Sequence, residues 1–304
     1  MIDKPVGQTS SDTVNELKRI LNLKRIGHSG TLDKFASGLL IVCTGWATKL
    51  ARYFLESDKR YIARIKLGIV TDTCDPEGKI IEERKTTYLT PELIFTAALK
   101  FKGEFDQMPP LYSALKVKGK RASDLTRKGK NISLKKRKVN ITKLDILKID
   151  LDNSTVTIDV TCSKGTYIRS LAKDIGDFLG TGGHLESLRR IASGNFSIEN
   201  AATINELKES ADDNKIISNL NAEKKYLYKP EEALTNFSYL KVKNAIVKNI
   251  LNGAFFLRND IINIYNNGKN PFIILDEEEN LIAIADIDID NWSIKYLNVF
   301  NKTS

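Results

Sequence analysis

Histidine and cysteine are scarce in this chain, with two of the first and three of the second among 304 residues. Two histidines cannot build a His-rich metal site, and no Cys/His spacing resembles a zinc pattern. Cys43, Cys74 and Cys162 are far apart and odd in number. They make neither a CxxC pair nor a disulfide framework, which fits a reducing, cytoplasmic setting. Long apolar runs are missing too. The longest, Leu39-Leu40-Ile41-Val42-Cys43, is far too short to span a bilayer, and the opening MIDKPVGQTSSD has no apolar core of a signal peptide. No glycine-rich loop is followed by Gly-Lys-Ser/Thr, which excludes a P-loop. These absences leave a soluble intracellular chain with no membrane span, no zinc or His-rich metal site and no P-loop.

What the chain does have is ordinary globular composition, 41% hydrophobic and 28% charged, and a net charge of +9. The charge is uneven. Residues 230–304 hold seven Lys/Arg against ten Asp/Glu, a net of −3, so residues 1–229 carry +12. A polyanion is expected to bind that first part. Residues 116–138 contain eleven cations and a single acid, Asp124. A solvated loop is the usual meaning of a charge run, but this imbalance favours contact with RNA.

Periodicity supplies the elements. Thr9-Ser10-Ser11-Asp12 starts a helix carrying Val14, Leu17, Ile20 and Leu21 to about Asn22. A short helix is expected around 47–56. Tyr61, Ala63, Ile65 and Leu67 alternate as a strand, and Val156, Ile158, Val160 and Cys162 form another. Asp75-Pro76-Glu77-Gly78 reads as a turn. Thr90 and Pro91 open a helix with Leu93, Ile94, Ala97, Ala98 and Phe101 on one face. A further helix places Ile168, Leu171, Ile175 and Phe178 inward and stops at Gly180. Residues 208–229 read as a connection. Beyond about 235, Phe255–Leu257, Ile261–Ile264, Phe272–Leu275 and Leu281–Ile284 read as short strands of a small β-rich module. Strands and helices mix without regular βαβ alternation, so the class is α+β.

Three stretches are candidates for chemistry. Gly27-His28-Ser29-Gly30-Thr31-Leu32-Asp33 packs small residues around one acid and one histidine. On its residues alone, the plainer reading is a tight loop in which Asp33 caps the next element. Cys162-Ser163-Lys164-Gly165-Thr166-Tyr167-Ile168-Arg169 turns from strand to helix, where Arg169 is able to keep a carboxylate ionised as it is desolvated. A surface arginine beside a core tyrosine is the plainer reading there. Gln107-Met108-Pro109-Pro110-Leu111-Tyr112-Ser113-Ala114-Leu115-Lys116 is stiffened by its prolines and leads into the basic run.

In this order these stretches resemble the tRNA pseudouridine-55 synthase family of the bacterial TruB type. Asp3-Lys4-Pro5-x-Gly7 with Thr9-Ser10, Gly27 to Asp33 with Ala36-x-Gly38-Leu39-Leu40, and Lys59-Arg60-Tyr61 with Gly68 and Thr71-Asp72-Thr73 are similar to its motifs. So are Pro109-Pro110-x-Tyr112-Ser113-Ala114-x-Lys116, the Cys162–Arg169 stretch, and Gly183-His184 with Leu188-Arg189-Arg190. The match spans residues 3 to about 200. The resemblance implies an α+β catalytic domain over 1–229, with a central, mainly antiparallel sheet flanked by helices and a basic insertion at about 113–140. A PUA-like RNA-binding module would occupy 235–304. It implies an isomerase that converts uridine 55 in the T loop of tRNA to pseudouridine by base flipping, without cofactor or metal, as a cytoplasmic monomer needing no protein partner. Asp33 matches the catalytic carboxylate and Arg169 its ion-pair partner. Tyr61 matches the tyrosine stacked on the base, Tyr167 a residue beside the carboxylate, Leu188 an apolar wall, and His28 the histidine that holds the opened T loop. Lys4 and Pro5 match the motif that supports the loop. Lys116, Lys135, Lys136, Arg137 and Lys138 would lie along the RNA backbone.

The chain departs from the pattern at Lys34, where proline is typical, at Ser37, where threonine is typical, and at Ala122-Ser123-Asp124, where a tyrosine is often found. Few apolar residues precede Asp3-Lys4-Pro5, so a shortened first strand is expected, or a start lying upstream. Two other readings compete: a non-catalytic tRNA-binding or tRNA-folding chaperone, and a pseudouridine synthase acting on another RNA. The joint presence of Asp33, Tyr61 and Arg169 favours the enzyme, since a pure binder has no need of all three.

Overall fold

The computed structural model describes residues 1–211 and 226–301. The strands of the first part are β1 (Ile2–Lys4), β2 (Ile26–Ser29), β3 (Ser37–Thr44), β4 (Lys59–Leu67), β5 (Ile69–Thr71), β6 (Ile80–Glu83), β7 (Gly103–Gln107), β8 (Lys116–Val117), β9 (Lys120–Arg121), β10 (Arg137–Asp150), β11 (Thr155–Cys162), β12 (Gly183–Ser193), β13 (Phe196–Ser197) and β14 (Ala202–Thr203). Its helices are α1 (Ser10–Ile20), α2 (Ala51–Leu55), α3 (Pro91–Lys100), α4 (Ala122–Arg127), α5 (Ile168–Phe178) and α6 (Ile204–Ala211). One large sheet runs in the order β14-β1-β3-β12-β4-β11-β10-β7, with β2 beside β3 and β13 beside β12. It is mainly antiparallel; β1 with β14 and β12 with β3 are the parallel pairs. This is the α+β architecture expected. The connection read at 208–229 starts later than supposed, because α6 continues to Ala211; residues 212–225 of it lie outside the described residues.

Local chemistry explains the helix starts. Thr9 and Asp12 form a reciprocal capping box on α1, and Thr90 accepts from the Leu93 N–H with Pro91 at the first helical position of α3. Ala63, Ile65 and Leu67 of β4 and Val156, Ile158 and Val160 of β11 form one apolar face, covered by α3 and α5. Two expected core residues lie outside it. Leu93 is 44% exposed, because Ile94, Ala97, Ala98 and Phe101 already fill the inward stripe and Leu93 sits a step round the helix. Phe178 is 49% exposed, since Leu179, four residues after Ile175, takes the inward place before Gly180 ends the helix at φ +76°.

The run Leu39–Cys43 is continuous because β3 is buried on both faces. Leu40 packs with Val14 and Leu17 of α1 and with Ile204 and Leu207 of α6. Leu39, Ile41 and Cys43 face a second cluster, which includes Ile273, Leu275, Ile284 and Phe300 of the C-terminal part. That part is a five-stranded sheet: β15 (Ser238–Val242), β16 (Ile261–Tyr265), β17 (Phe272–Leu275), β18 (Leu281–Asp288) and β19 (Ser293–Val299), ordered β16-β15-β17-β18-β19. Phe255–Leu257 is not a strand but a turn into a short 3-10 helix. Only Phe256 is buried there, edge-on to Trp292, while its neighbours face solvent. β15 and β19 escape a search for apolar runs because polar residues alternate along both. Trp46 against Phe300 and a hydrogen bond from the Tyr53 hydroxyl to Asn298 dock the two sheets together.

Gly38 fixes where β3 meets β12. Its φ is +105°, and a Cβ there would lie 2.3 Å from the Arg190 carbonyl oxygen. We expect Gly38→Ala to cost about 2–4 kcal/mol. Gly45→Ala, at φ +55° but with nothing within 4 Å of a Cβ, should cost only about 1 kcal/mol. Thermal melting of the two variants compares them, and equal losses would remove the close-approach explanation.

Candidate active site

The hydrogen bonds that hold the loop between β2 and β3 fall on its backbone. The Ser10 hydroxyl accepts from Leu32 N at 2.9 Å and reaches Leu32 O at 3.2 Å, and Gly7 N donates to Lys34 O at 2.9 Å. Arg190, only 2% exposed, donates through Nε to Leu39 O at 2.7 Å and through Nη2 to Gly30 O at 3.1 Å. Leu32, Phe35 and Ala36 are anchored in the core around Asp33. Lys4 is fully buried and donates to Pro5 O and Gln8 O, both at 2.7 Å, which shapes the turn that carries Gly7. Burial pushes the Lys4 ammonium down to about 8, with the nearby Asp33 charge opposing. Asp33 therefore stands on a clamped backbone, not at the tip of a free loop.

Its partner comes from the first turn of α5. Arg169 Nε lies 3.1 Å from Asp33 Oδ2, and Nη2 is 3.5 Å from Oδ1. The guanidinium has more partners: Nη1 donates to Asp75 Oδ2 at 3.0 Å and Thr73 O at 3.3 Å, and Nη2 to Tyr112 O at 2.9 Å. The plainer sequence readings are overturned here. Arg169 is buried and Tyr167 is half-buried, so the arginine is not on the surface and the tyrosine is not in the core. Asp33 keeps 40% of its side-chain surface open, and that surface faces a concave site. Desolvation raises its carboxyl above the ordinary carboxylate range; Arg169 opposes the rise, and Asp75 adds to it.

A cavity of about 210 Å³ opens over this pair, with Asp33, Tyr61, Tyr112, Tyr167, Arg169 and Leu188 in its wall. β4 aims Tyr61 inward in register with Val160 and Arg190. Tyr167 is the N-cap of α5, and the buried Gln107 side chain clamps its backbone, accepting from Tyr167 N at 2.8 Å and donating to Tyr167 O at 3.1 Å. Burial raises the pKa of both phenols, so they stay neutral. Leu188, 9% exposed, adds an apolar wall from β12.

The remaining expected residues lie away from the cavity. His28 sits on β2 opposite Val42. Its Nδ1 is buried with no hydrogen-bond partner among the described residues, and burial, then the Arg190 charge, disfavours its protonation. Pro5 acts through its carbonyl, as above. Lys116 lies on the exposed β8–β9 hairpin, Lys135 and Lys136 on the exposed approach to β10, and Arg137 and Lys138 at its start, paired with Gln107 and Asp106. Among the described residues no group of His, Cys, Asp or Glu is arranged to hold a metal ion, and no helix is long and apolar enough to cross a membrane. Sequence reasoning missed Asp75, Gln107 and the role of Arg190. Along the chain Asp75 reads only as part of a turn; its burial beside Arg169 depends on the turn after β5 meeting the first turn of α5, which no local signal carries.

Asp75→Asn removes a neighbouring negative charge and so should lower the Asp33 pKa. A carbon-13 NMR titration of the Asp33 carboxyl should show wild type above the ordinary carboxylate range and the variant below wild type. A wild-type carboxyl titrating at or below the ordinary value would contradict this electrostatic account.

The comparisons with known proteins agree with the geometry. The sequence matches the TruB family pseudouridylate synthase N-terminal domain over residues 18–168 and the tRNA pseudouridylate synthase B C-terminal domain over residues 169–229. A tRNA pseudouridine synthase B from Clostridioides difficile is 39% identical over 96% of this chain and 94% of its own. One from Clostridium kluyveri is 44% identical over 83% of this chain and 82% of its own. Among solved structures, an archaeal box H/ACA sRNP Nop10-Cbf5 complex contains a chain with TM-score 0.73 and 25% identity, covering 99% of this chain and 84% of that one. The fold, the ordered motifs and these relatives together show that the chain belongs to the TruB family of pseudouridylate synthases.

Proposed function

We propose that this protein isomerises a uridine of tRNA, position 55 in the T loop, to pseudouridine, with Asp33 as the catalytic carboxylate and no cofactor. The observation that carries the reading is the Asp33–Arg169 pair at 3.1 Å in the wall of a cavity with Tyr61 and Leu188. The named relatives, tRNA pseudouridine synthases B, support tRNA as the substrate. In the reaction the C1′–N1 bond breaks, the base turns over, a C1′–C5 bond forms, the C5 proton leaves and N1 gains a proton. Nothing is oxidised or reduced, so the demands fall on the protein's own groups.

Asp33 acts on the nucleoside as nucleophile or base, and Arg169 holds it ionised although burial favours its neutral form. Tyr61 stacks on the everted base, and Leu188 keeps the pocket dry while the uracil is detached. Tyr167 borders the carboxylate, and His28, with its unpaired buried nitrogen, faces the opened T loop. Lys4 and Pro5 keep the loop in place. Everting the nucleotide costs roughly a few kcal/mol. Phosphate contacts along Lys116, Lys135, Lys136, Arg137 and Lys138, in the insertion at about 113–140, offset that cost. We assign residues 1–229 to the catalytic unit and 235–304 to a PUA-like module; the chain works in the cytoplasm as a monomer without a protein partner. A non-catalytic chaperone would have no use for a desolvated carboxylate locked to a buried guanidinium.

Asp33→Asn should lower turnover about 10³-fold or more while leaving tRNA affinity within about 3-fold of wild type. Tritium release from C5-labelled uridine in tRNA and filter binding measure the two, and substantial activity in the variant would sink the assignment. Mapping pseudouridine after incubation of unmodified tRNA identifies the position. Neutralising Lys135, Lys136, Arg137 and Lys138 together should reduce the slope of log affinity against log salt by about 2–3. An unchanged slope would make this run a solvated surface.

A further inference from the structure

Ser113 has a feature that the packing does not explain. Its side chain is 3% exposed, and its Oγ is buried with no hydrogen-bond partner among the described residues. Other hydroxyls equally buried are used by the fold. Ser10 bonds Leu32, Ser170 donates to Met108 O at 2.7 Å, Thr71 donates to Asp75 O at 2.8 Å, and Thr181 donates to Gly182 O at 2.9 Å. An orphaned hydroxyl costs stability that alanine at the same place would not. Stability is therefore not what Ser113 supplies.

Its backbone leaves it little freedom. The preceding carbonyl, Tyr112 O, accepts from Arg169 Nη2 at 2.9 Å. Ser113 O accepts from Ser123 N at 3.1 Å, and Leu115 O from Ala122 N at 2.7 Å, both from the start of α4 in the basic insertion. With the main chain tied on both sides, the hydroxyl searches for a partner only by turning about its Cα–Cβ bond. The nearest polar neighbour is the Tyr167 phenol in the same wall, whose pKa Ser113 lowers as a hydrogen-bonding neighbour does, but the pair does not reach hydrogen-bond geometry. The cavity over Asp33, which Ser113 also lines, is the remaining direction. Arg169 cannot serve an occupant of that cavity, because its Nε and both terminal nitrogens are committed to Asp33, Asp75, Thr73 O and Tyr112 O.

We propose that Ser113 is a substrate-binding residue, whose hydroxyl, without a partner among the described residues, donates to a carbonyl oxygen of the seated uracil. The assignment rests on the cavity being the uridine site. It gives the base a neutral donor in a wall where the cation is already fully engaged and the carboxylate can only accept. It also places that donor on the segment that joins the basic insertion to Arg169, so the base and the insertion bear on the same few residues.

The test is Ser113→Ala, with turnover on transcribed tRNA and thermal melting measured beside wild type. The expected outcome is a fall in kcat/KM of about 5- to 10-fold, the size of one neutral hydrogen bond, with a melting temperature equal to or above that of wild type. Unchanged kcat/KM, or a melting temperature several degrees lower, would overturn the assignment and make the hydroxyl structural. If wild-type protein releases no tritium in the same assay, the pseudouridylation reading itself fails. Normal wild-type turnover with no effect of the variant removes Ser113 alone.

Discussion

One guanidinium organises this molecule's chemistry. Arg169 is buried, and a buried cation is tolerated only where its charge is paired and its donors are used. Here two carboxylates and two main-chain carbonyls meet both conditions. Asp75 is as buried as the arginine, so it neutralises the charge and fixes the plane of the fork. Asp33, on the open side, completes the set while remaining reachable from the cavity. The arrangement divides the labour: one acid secures the cation, and the cation opposes the rise in the pKa of the other acid. Removing the arginine would leave a buried carboxylate uncompensated, a loss of about 3–5 kcal/mol, so the site and the stability of the fold share this residue.

The loop that carries Asp33 obeys a complementary rule. Its backbone is bonded by groups distant in sequence: Ser10 from α1, Gly7 from the turn after β1, and Arg190 from β12. Such a loop can place one side chain accurately without long side chains of its own, which is why its sequence is small and glycine-rich. Lys4 is part of the same scheme. A fully buried lysine near the Asp33 carboxylate would suggest a reactive amine, but its ammonium is spent on two carbonyls of its own turn. Substituting Lys34 and Ser37 for the residues typical of the family disturbs little. Lys34 contributes its carbonyl to Gly7, and Ser37 lies at the start of β3, where Arg189 reaches its hydroxyl at 3.4 Å.

The C-terminal sheet is attached by apolar packing against β3 and α2, so the acidic end of the chain is carried on the large-sheet body instead of hanging from a linker. Its net charge of −3 beside the +12 of the rest concentrates the attraction for a polyanion on the body that holds the cavity. The lysine-rich insertion continues that positive surface. Through Ser113 and Leu115 it is bonded directly to the cavity wall.

By itself the sequence determined the class of the fold, most helices and strands around the large sheet, the uneven charge, and the ordered motifs in which Asp33, Tyr61, Tyr167, Arg169 and Leu188 lie. These are local or periodic signals, and they survive without knowledge of what packs where. The limits of the inward faces of α3 and α5, the edge strand β19 and the turn at Phe255–Leu257 needed the partners that bury or expose them. Tertiary structure alone decided that Asp75 shares the arginine, that Gln107 clamps Tyr167, that Arg190 holds Gly30, and that the Ser113 hydroxyl finds no partner among the described residues. Each depends on segments that are remote in sequence meeting at one point, and burial and charge neutralisation are properties of the meeting, not of either segment.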